Sequence, residues 1–160
     1  MAAPSPASLA ATLKKAFGIP SFRPYQPEPI QALLSSRDTC CYWATGSGKS
    51  LVFSLPPLHS NKPAVIISPL ISLMQDQCIK LNATVGEGTA TFLGTAQMDP
   101  AAEAKAARGD FKLVYITPEA SFGCARVLFA PKLSFALVPL RVRVQSCLSA
   151  ILLPFCVLLY

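Results

Sequence analysis

The sequence predicts an α/β fold, with a mainly parallel sheet flanked by helices. Short apolar runs alternate along the chain with stretches of helical periodicity, which is the pattern of parallel strands joined by helices. One run, Ala64–Ser68, is apolar up to its last residue, as expected of a strand covered on both faces. A glycine-rich turn, Ala44–Ser50, lies between a second apolar run and a helical segment. At 160 residues the chain has the length of one domain.

Two helices are predicted ahead of the glycine-rich turn. Ser8 can cap the first helix, whose apolar residues recur on one face, and Gly18 can end it. The second helix is predicted to start near Pro24 and to end at Leu34. Residues 1–12 are rich in Ala, Ser and Pro, so we expect a disordered leader there.

The remaining elements follow from apolar runs and from helix start and stop signals. The strand before the turn is predicted over Thr39–Trp43, and the helix after it is expected to stop at Pro56-Pro57. Further strands are predicted over residues 64–68, 90–93, 112–117 and 133–138. A further helix is predicted after Ser68, which would be its N-cap, with Pro69 as its first helical residue. Another is predicted over residues 100–108, preceded by Asp99.

The turn has the composition of a phosphate-binding loop. Glycine lets the backbone N–H groups face phosphate oxygens, and the start of the following helix adds partial positive charge. Lys49 would hold the β- and γ-phosphates, and the Ser50 hydroxyl would complete a Mg²⁺ shell. The predicted phosphate contacts are Thr45, Gly46, Ser47, Gly48, Lys49 and Ser50. Trp43 stands where the pattern G-x-x-x-x-G-K-S has its first glycine. The alternative is a flexible Gly-Ser turn that precedes a lysine.

Charge and cysteine content bear on whether the chain has a nucleic-acid-binding surface or a zinc site. The net charge is +6, but all eight acidic residues lie at or before Glu119. The excess of positive charge therefore comes mostly from an unusual C-terminal stretch and says little about nucleic-acid binding by the rest of the chain. The six cysteines show no C-x-x-C spacing, and the single histidine, His59, has no partner at metal-ligand spacing. We therefore expect no zinc site, and reduced thiols in an intracellular protein without a secretory signal.

Four blocks resemble the RecQ-type DNA helicases of superfamily 2 and stand in that family's order. They are Leu13-x3-Phe17-Gly18-x3-Phe22-Arg23-x2-Gln26, Ala44–Ser50, Val65–Gln77 and Tyr115–Glu119, and they are similar to motifs 0, I, Ia and Ib. The resemblance implies a partial RecA-like domain over residues 13–138, with ATP and Mg²⁺ as cofactors. It further implies a nuclear protein of DNA replication, recombination and repair that unwinds DNA in the 3′-to-5′ direction.

The resemblance assigns a role to two residues of motif 0. In the family the motif's glutamine reads the adenine edge, and that position is Gln26 here, with Arg23 nearby. A carboxamide offers the donor and the acceptor that adenine requires. The family's adenine-stacking aromatic falls on Ile19. The alternative for Gln26 is an ordinary glutamine on a helix surface.

Motifs Ia and Ib imply contacts with the sugar-phosphate backbone of single-stranded DNA. The residues carried over are Ser68, Pro69, Thr117 and Pro118. Helix-start amides and a threonine hydroxyl suit contacts of this kind, which do not depend on base sequence. Leu70, Leu73 and Met74 are expected in the core, whereas Asp76 and Gln77 are as compatible with a structural role as with a ligand role.

The pattern breaks after the fifth predicted strand. The family has Asp-Glu-Ala-His there, for Mg²⁺ and the attacking water, but this chain has Pro139-Leu140-Arg141-Val142 and no acidic residue after Glu119. We assign no catalytic residue and expect an N-terminal fragment, inactive alone, that also lacks the second RecA-like domain. Residues 139–160 form an aberrant apolar tail, which suggests a splice form, a frameshift or a translated intron. The rival is a tail anchor, but Val144–Tyr160 is short for a span, so we expect no membrane partner.

Two other functions stay open. One is a non-catalytic nucleotide-binding or regulatory short isoform that competes with the full-length helicase. The other is a small P-loop kinase, which the scarcity of arginine between Arg37 and Arg108 disfavours. The sequence identifies no protein partner.

Overall fold

The structure, a computed structural model, describes residues 4–123 and the side chains of residues 4–120. Helices and strands alternate, as the predicted α/β class requires. The helices are α1 (Pro6–Phe17), α2 (Pro27–Leu34), α3 (Lys49–Ser60), α4 (Ile71–Val85), α5 (Ala102–Arg108) and α6 (Pro118–Gly123). The strands are β1 (Ala64–Ile67), β2 (Ala90–Leu93) and β3 (Leu113–Ile116). All three strands match predicted runs.

The strands form one parallel sheet in the order β1-β3-β2. Because successive side chains of a strand point to opposite faces, the sheet contributes to two apolar clusters. Ile66 and Tyr115 pack on one face against α1 to α4. Val65 and Val114 pack on the other face against α5. The sheet is thus covered on both sides, as the apolar run of β1 predicts.

Helix α1 begins earlier than the sequence indicates. Ser5 caps it, because its hydroxyl accepts a hydrogen bond from the Ser8 N–H at 3.2 Å, and Pro6 takes the first turn. The cap predicted at Ser8 is therefore wrong. The helix also includes part of the disordered leader predicted over residues 1–12. Leu9, which lies in that stretch, is buried in the core and holds it in place.

Thr39–Trp43 has no regular secondary structure and pairs with no strand of the described residues, so the strand predicted there is wrong. Its exposure alternates: Cys41 and Trp43 pack partly against the core, whereas Tyr42 is 90% exposed. Its side chains alternate in burial as those of a strand do, but its backbone does not pair with a neighbouring strand.

Helix α3 runs through Pro56 and Pro57, which the sequence analysis expected to stop it. Both prolines are buried, and the Ser60 hydroxyl donates to the Pro56 carbonyl at 2.9 Å. The helix ends instead at Ser60 and is capped by Asn61, whose φ is 57°. Packing of the proline rings outweighs the lost backbone hydrogen bonds here.

Helices α2, α4 and α5 begin a few residues after their predicted starts. A turn closed by the Gln26 N–H and the Arg23 carbonyl delays α2 to Pro27. Ser68 and Pro69 are not helical, so α4 begins at Ile71, and the predicted cap at Ser68 is wrong. Asp99 leads α5 by accepting from the Ala101 N–H at 2.8 Å.

Asn82 joins α4 to the start of β2. Its amide nitrogen donates to the Ala90 carbonyl at 3.0 Å, and its amide oxygen accepts from the Ala90 N–H at 2.8 Å. Both backbone polar groups of Ala90, the first residue of β2, are thereby paired, which fixes the helix against the sheet.

The strand predicted over residues 133–138 and the tail 139–160 lie outside the described residues. Within residues 4–123, no helix has both the length and the apolar character that a bilayer crossing needs.

Candidate nucleotide-binding site

Two glycines shape the loop that leads into α3. Gly46 and Gly48 have φ values of 76° and 88°, in the left-handed region that favours glycine. Gly48 is also crowded, since a Cβ at this position would lie 2.6 Å from Gln26 Nε2. The loop conformation therefore depends on both glycines, and at Gly48 also on the absence of a side chain.

Lys49 is the first residue of α3 and turns back over the loop. Its Nζ donates to the Trp43 carbonyl at 2.7 Å and to the Ala44 carbonyl at 2.8 Å. The Ala44 carbonyl also accepts from the Ser47 hydroxyl at 2.7 Å. The ammonium and the hydroxyl thus both contact the Ala44 carbonyl at the start of the loop. The Ser50 hydroxyl has no hydrogen-bond partner among the described residues, so it is available as a metal ligand.

Gln26 is 4% exposed and ties motif 0 to the loop. Its Oε1 accepts from the Arg23 N–H at 2.9 Å, and its Nε2 donates to the Gly48 carbonyl at 3.2 Å. A carboxamide has two N–H donors and two acceptor lone pairs, so one of each remains. The alternative interpretation, a glutamine on a helix surface, does not fit this burial.

Arg23 and Tyr25 also contact the loop. Arg23 Nη1 donates to the Gly46 carbonyl at 3.1 Å and to the Tyr25 hydroxyl at 3.3 Å. The Tyr25 hydroxyl donates in turn to the Ser47 carbonyl at 3.1 Å, and the ring meets Trp43 edge to face. Tyr25 is not among the site residues predicted from the sequence, although it lies between Arg23 and Gln26, which are. Ile19, at the position of the family's aromatic, is 36% exposed.

Two cysteines precede the loop. The Cys40 side chain is exposed, whereas Cys41 is partly buried. Burial and the neighbouring Cys40 raise the pKa of the Cys41 thiol, and Lys49 partly opposes that rise. Cys41 is therefore neutral at physiological pH and packs as a small apolar group.

The residues predicted to contact DNA come together at one end of the sheet. Ser68 and Thr117 follow Ile67 and Ile116, which are paired in the parallel ladder. Both side chains are buried: the Thr117 hydroxyl accepts from the Ala120 N–H at 3.1 Å, and the Ser68 hydroxyl from the Leu70 N–H at 3.5 Å. Pro69 is the exposed member and Pro118 is half-buried.

A third loop joins this end of the sheet. A Cβ on Gly94, which follows β2, would lie 3.6 Å from Thr117 Cγ2. Gln97 holds the loop through its Nε2, which donates to the Phe92 carbonyl at 2.5 Å, and through its Oε1, which accepts from the Asp99 N–H. None of the site residues predicted from the sequence lies in this loop.

Motif Ia also supplies core residues, but fewer than predicted. Met74 is fully buried and Leu73 half-buried, whereas Leu70 is 41% exposed, so its assignment to the core is wrong. Leu70 precedes the helix and therefore falls outside its apolar face. Asp76 forms an ion pair with Lys80 on the surface of α4.

Loop, motif 0 and sheet together define a nucleotide-binding α/β domain, and comparison with known proteins gives its family. The chain belongs to the DEAD/DEAH box helicase family, whose sequence profile matches residues 23–134. Within that family its relatives include RecQ-type helicases, as the four blocks of sequence imply.

Three relatives illustrate the similarity. The chain is 45% identical over 107 residues to the ATP-dependent DNA helicase Q-like SIM of Arabidopsis thaliana, covering 67% of this chain and 12% of the relative. It is 38% identical over 143 residues to the bifunctional 3′-5′ exonuclease/ATP-dependent helicase WRN of Mus musculus, covering 86% and 10%. It is 42% identical over 110 residues to the ATP-dependent DNA helicase RecQ of Haemophilus influenzae, covering 67% and 17%. The chain therefore spans less than a fifth of the length of these relatives.

Proposed function

We propose that this chain is the Mg-ATP-binding part of an ATP-dependent 3′-to-5′ DNA helicase of RecQ type. The observation that carries the proposal is the loop itself: two left-handed glycines lead into α3, Lys49 lies at its first position, and Gln26 braces Gly48 from motif 0. A loop of this form at a helix start binds phosphate.

Each residue of the site has a role in this proposal. Backbone N–H groups from Thr45 to Ser50 would face the phosphates, and Lys49 would exchange its two carbonyl partners for phosphate oxygens. Ser50 would complete the Mg²⁺ shell with its unpartnered hydroxyl. Gln26 would use its remaining donor and acceptor on adenine, with Arg23 beside it. The bound metal supplies charge neutralisation at the phosphates.

The DNA-binding role belongs to the carboxyl end of the sheet. We place single-stranded DNA against Pro69 and Pro118, where the loops after β1 and β3 lie side by side. Because the Ser68 and Thr117 hydroxyls are buried and already engaged, contributions from these residues would come through their backbone. Such contacts read the phosphodiester chain and not the base sequence.

The 160-residue chain is expected to bind but not to hydrolyse ATP or unwind DNA. After Glu119 its sequence holds no carboxylate that could position Mg²⁺ or the attacking water. The activity for which the relatives are named, ATP-dependent DNA helicase, is therefore proposed for the longer protein, together with a place in DNA repair in the nucleus.

The test has two arms. Calorimetric titration with Mg-ATP should give saturable binding, and titration without Mg²⁺ should give weaker binding. A strand-displacement assay with the same preparation should give no unwound product. Absence of ATP binding would refute the nucleotide role, whereas ATP-dependent unwinding would refute the inactivity of the isolated chain.

A further inference from the structure

The Tyr25 hydroxyl bridges motif 0 and the phosphate-binding loop. It accepts from Arg23 Nη1 at 3.3 Å and donates to the Ser47 carbonyl at 3.1 Å. Arg23 Nη1 also donates to the Gly46 carbonyl at 3.1 Å. The side chains of Arg23 and Tyr25 thus bind two consecutive carbonyls of the loop, those of Gly46 and Ser47.

The direction of a carbonyl fixes the direction of the next N–H. In a planar trans peptide the C=O and the following N–H point opposite ways. The Ser47 carbonyl faces Tyr25, so the Gly48 N–H faces away from it. Among the described residues this N–H has no acceptor. It is therefore a donor available to an anion in the loop.

The ring of Tyr25 acts at a second point. It lies edge to face with the indole of Trp43, with centroids 4.7 Å apart and planes at 67°. The Trp43 carbonyl accepts from Lys49 Nζ at 2.7 Å. Tyr25 therefore contacts both Trp43, whose carbonyl binds Lys49, and the Ser47–Gly48 peptide, whose N–H is unpaired within the described part of the chain.

We propose that Tyr25 is a positioning residue for phosphate binding: its hydroxyl keeps the Ser47–Gly48 peptide turned so that the Gly48 N–H faces the anion, and its ring seats Trp43. The inference rests on the proposed nucleotide-binding function. Tyr25 would act on the phosphates through the loop and not on the base.

The experiment compares Tyr25→Phe and Tyr25→Leu with the unaltered 160-residue chain. Each protein is titrated calorimetrically with Mg-ATP and with magnesium tripolyphosphate, which lacks the base and the ribose. Loss of the hydroxyl hydrogen bond in Tyr25→Phe should weaken both ligands by a similar factor, about fivefold to tenfold. Tyr25→Leu should weaken both further, because the contact with Trp43 is also lost.

The control is Tyr42→Phe, which removes the hydroxyl of a tyrosine next to Trp43 whose side chain is 90% exposed. It should bind both ligands like the unaltered chain. Trp43 is the one tryptophan of the sequence, so its fluorescence reports the loop directly. Its emission should respond to tripolyphosphate in the unaltered chain, and less so in Tyr25→Phe at equal ligand concentration.

Two further outcomes would overturn the inference while leaving nucleotide binding intact. One is unchanged tripolyphosphate affinity with weakened ATP affinity in Tyr25→Leu, which would make Tyr25 a base-stacking residue. The other is a Tyr25→Phe protein that binds both ligands normally. A large drop in the ligand-free unfolding midpoint of Tyr25→Phe would trace the weakened binding to a general loss of stability and would also overturn the inference. If the unaltered chain binds neither ligand, the proposed function fails and the inference with it.

Discussion

Gln26 and Gly48 form a contact that leaves no room for a side chain on the glycine. The amide nitrogen of Gln26 donates to the Gly48 carbonyl at 3.2 Å, and a Cβ on Gly48 would lie 2.6 Å from that same nitrogen. The brace between motif 0 and the loop therefore depends on glycine at this position, for steric as well as conformational reasons.

Gly48→Ala should accordingly abolish measurable Mg-ATP binding. The new methyl group displaces Gln26, and the φ of 88° adds about 1–2 kcal/mol of backbone strain. Calorimetric titration and urea unfolding measure the two effects. Gly88→Ala is the matched control, because its φ is 79° but nothing lies within 4 Å of the added Cβ. It should lose stability and keep its ATP affinity, and an equal loss of affinity in both variants would contradict the steric argument.

Lys49→Ala should weaken Mg-ATP binding by about 10- to 100-fold, since it removes charged hydrogen bonds to the phosphates. The fold should survive, because the lysine side chain bonds two loop carbonyls and no core residue. The circular dichroism spectrum checks the fold and calorimetry the affinity. Lys80→Ala, which removes an exposed lysine paired with Asp76 on α4, should bind as the unaltered chain does. Full ATP affinity in Lys49→Ala would exclude the loop as the nucleotide site.

Asn82→Ala should destabilise the domain by about 1–3 kcal/mol, since it leaves the Ala90 N–H and carbonyl without their side-chain partner. Urea unfolding measures the change. Thr84→Ala, at an exposed position on the same helix, should leave the free energy of unfolding within about 0.5 kcal/mol. A comparable loss in both variants would mean that the helix, and not its link to β2, is affected.

Cys78 should make stability fall with rising pH. Burial raises the pKa of its thiol from 9.0 to about 12. The thiol of the unfolded chain ionises above pH 9, whereas that of the folded chain stays protonated. Its contribution is therefore complete below pH 9 and is lost between pH 9 and about pH 12. The slope is at most about 1.4 kcal/mol per pH unit.

Urea unfolding at several pH values from 8 upward measures that slope. The Cys78→Ala variant should show a shallower decline just above pH 9, because Tyr115, whose pKa burial also raises, has an ordinary value of 10.0 and lowers stability only above that pH. Identical pH profiles for the two proteins would show that Cys78 is not the titrating group.

The sheet could be predicted from the sequence because its signal is local. Val65 and Val114 belong to runs whose apolar character alone requires cover on both faces, and both are buried. The segment Thr39–Trp43 has similar composition but pairs with no described strand, because pairing also depends on residues distant in the sequence. The prediction that the prolines of α3 end the helix was wrong for the same reason, because their burial depends on packing that the local sequence does not encode.

The site was predictable in its residues and less so in its contacts. Glycine spacing and the helix start identified the loop with Lys49, since a phosphate-binding turn is a local structure. The bridge made by Tyr25 joins residues 22 positions apart and leaves no periodic signal. Similarly, nothing in the sequence indicates that the Ser68 side chain would be buried and Leu70 exposed, because that depends on where α4 begins.

The central place of β3 sets the order in which the domain can open. Leu113–Ile116 pairs with β1 on one side and with β2 on the other, and all four residues are buried. Either outer strand can detach while β3 keeps its other neighbour, but β3 itself is freed only when the whole sheet comes apart. Amide protons of β3 should therefore exchange with solvent deuterium more slowly than those of β1 or β2, at a rate set by global unfolding.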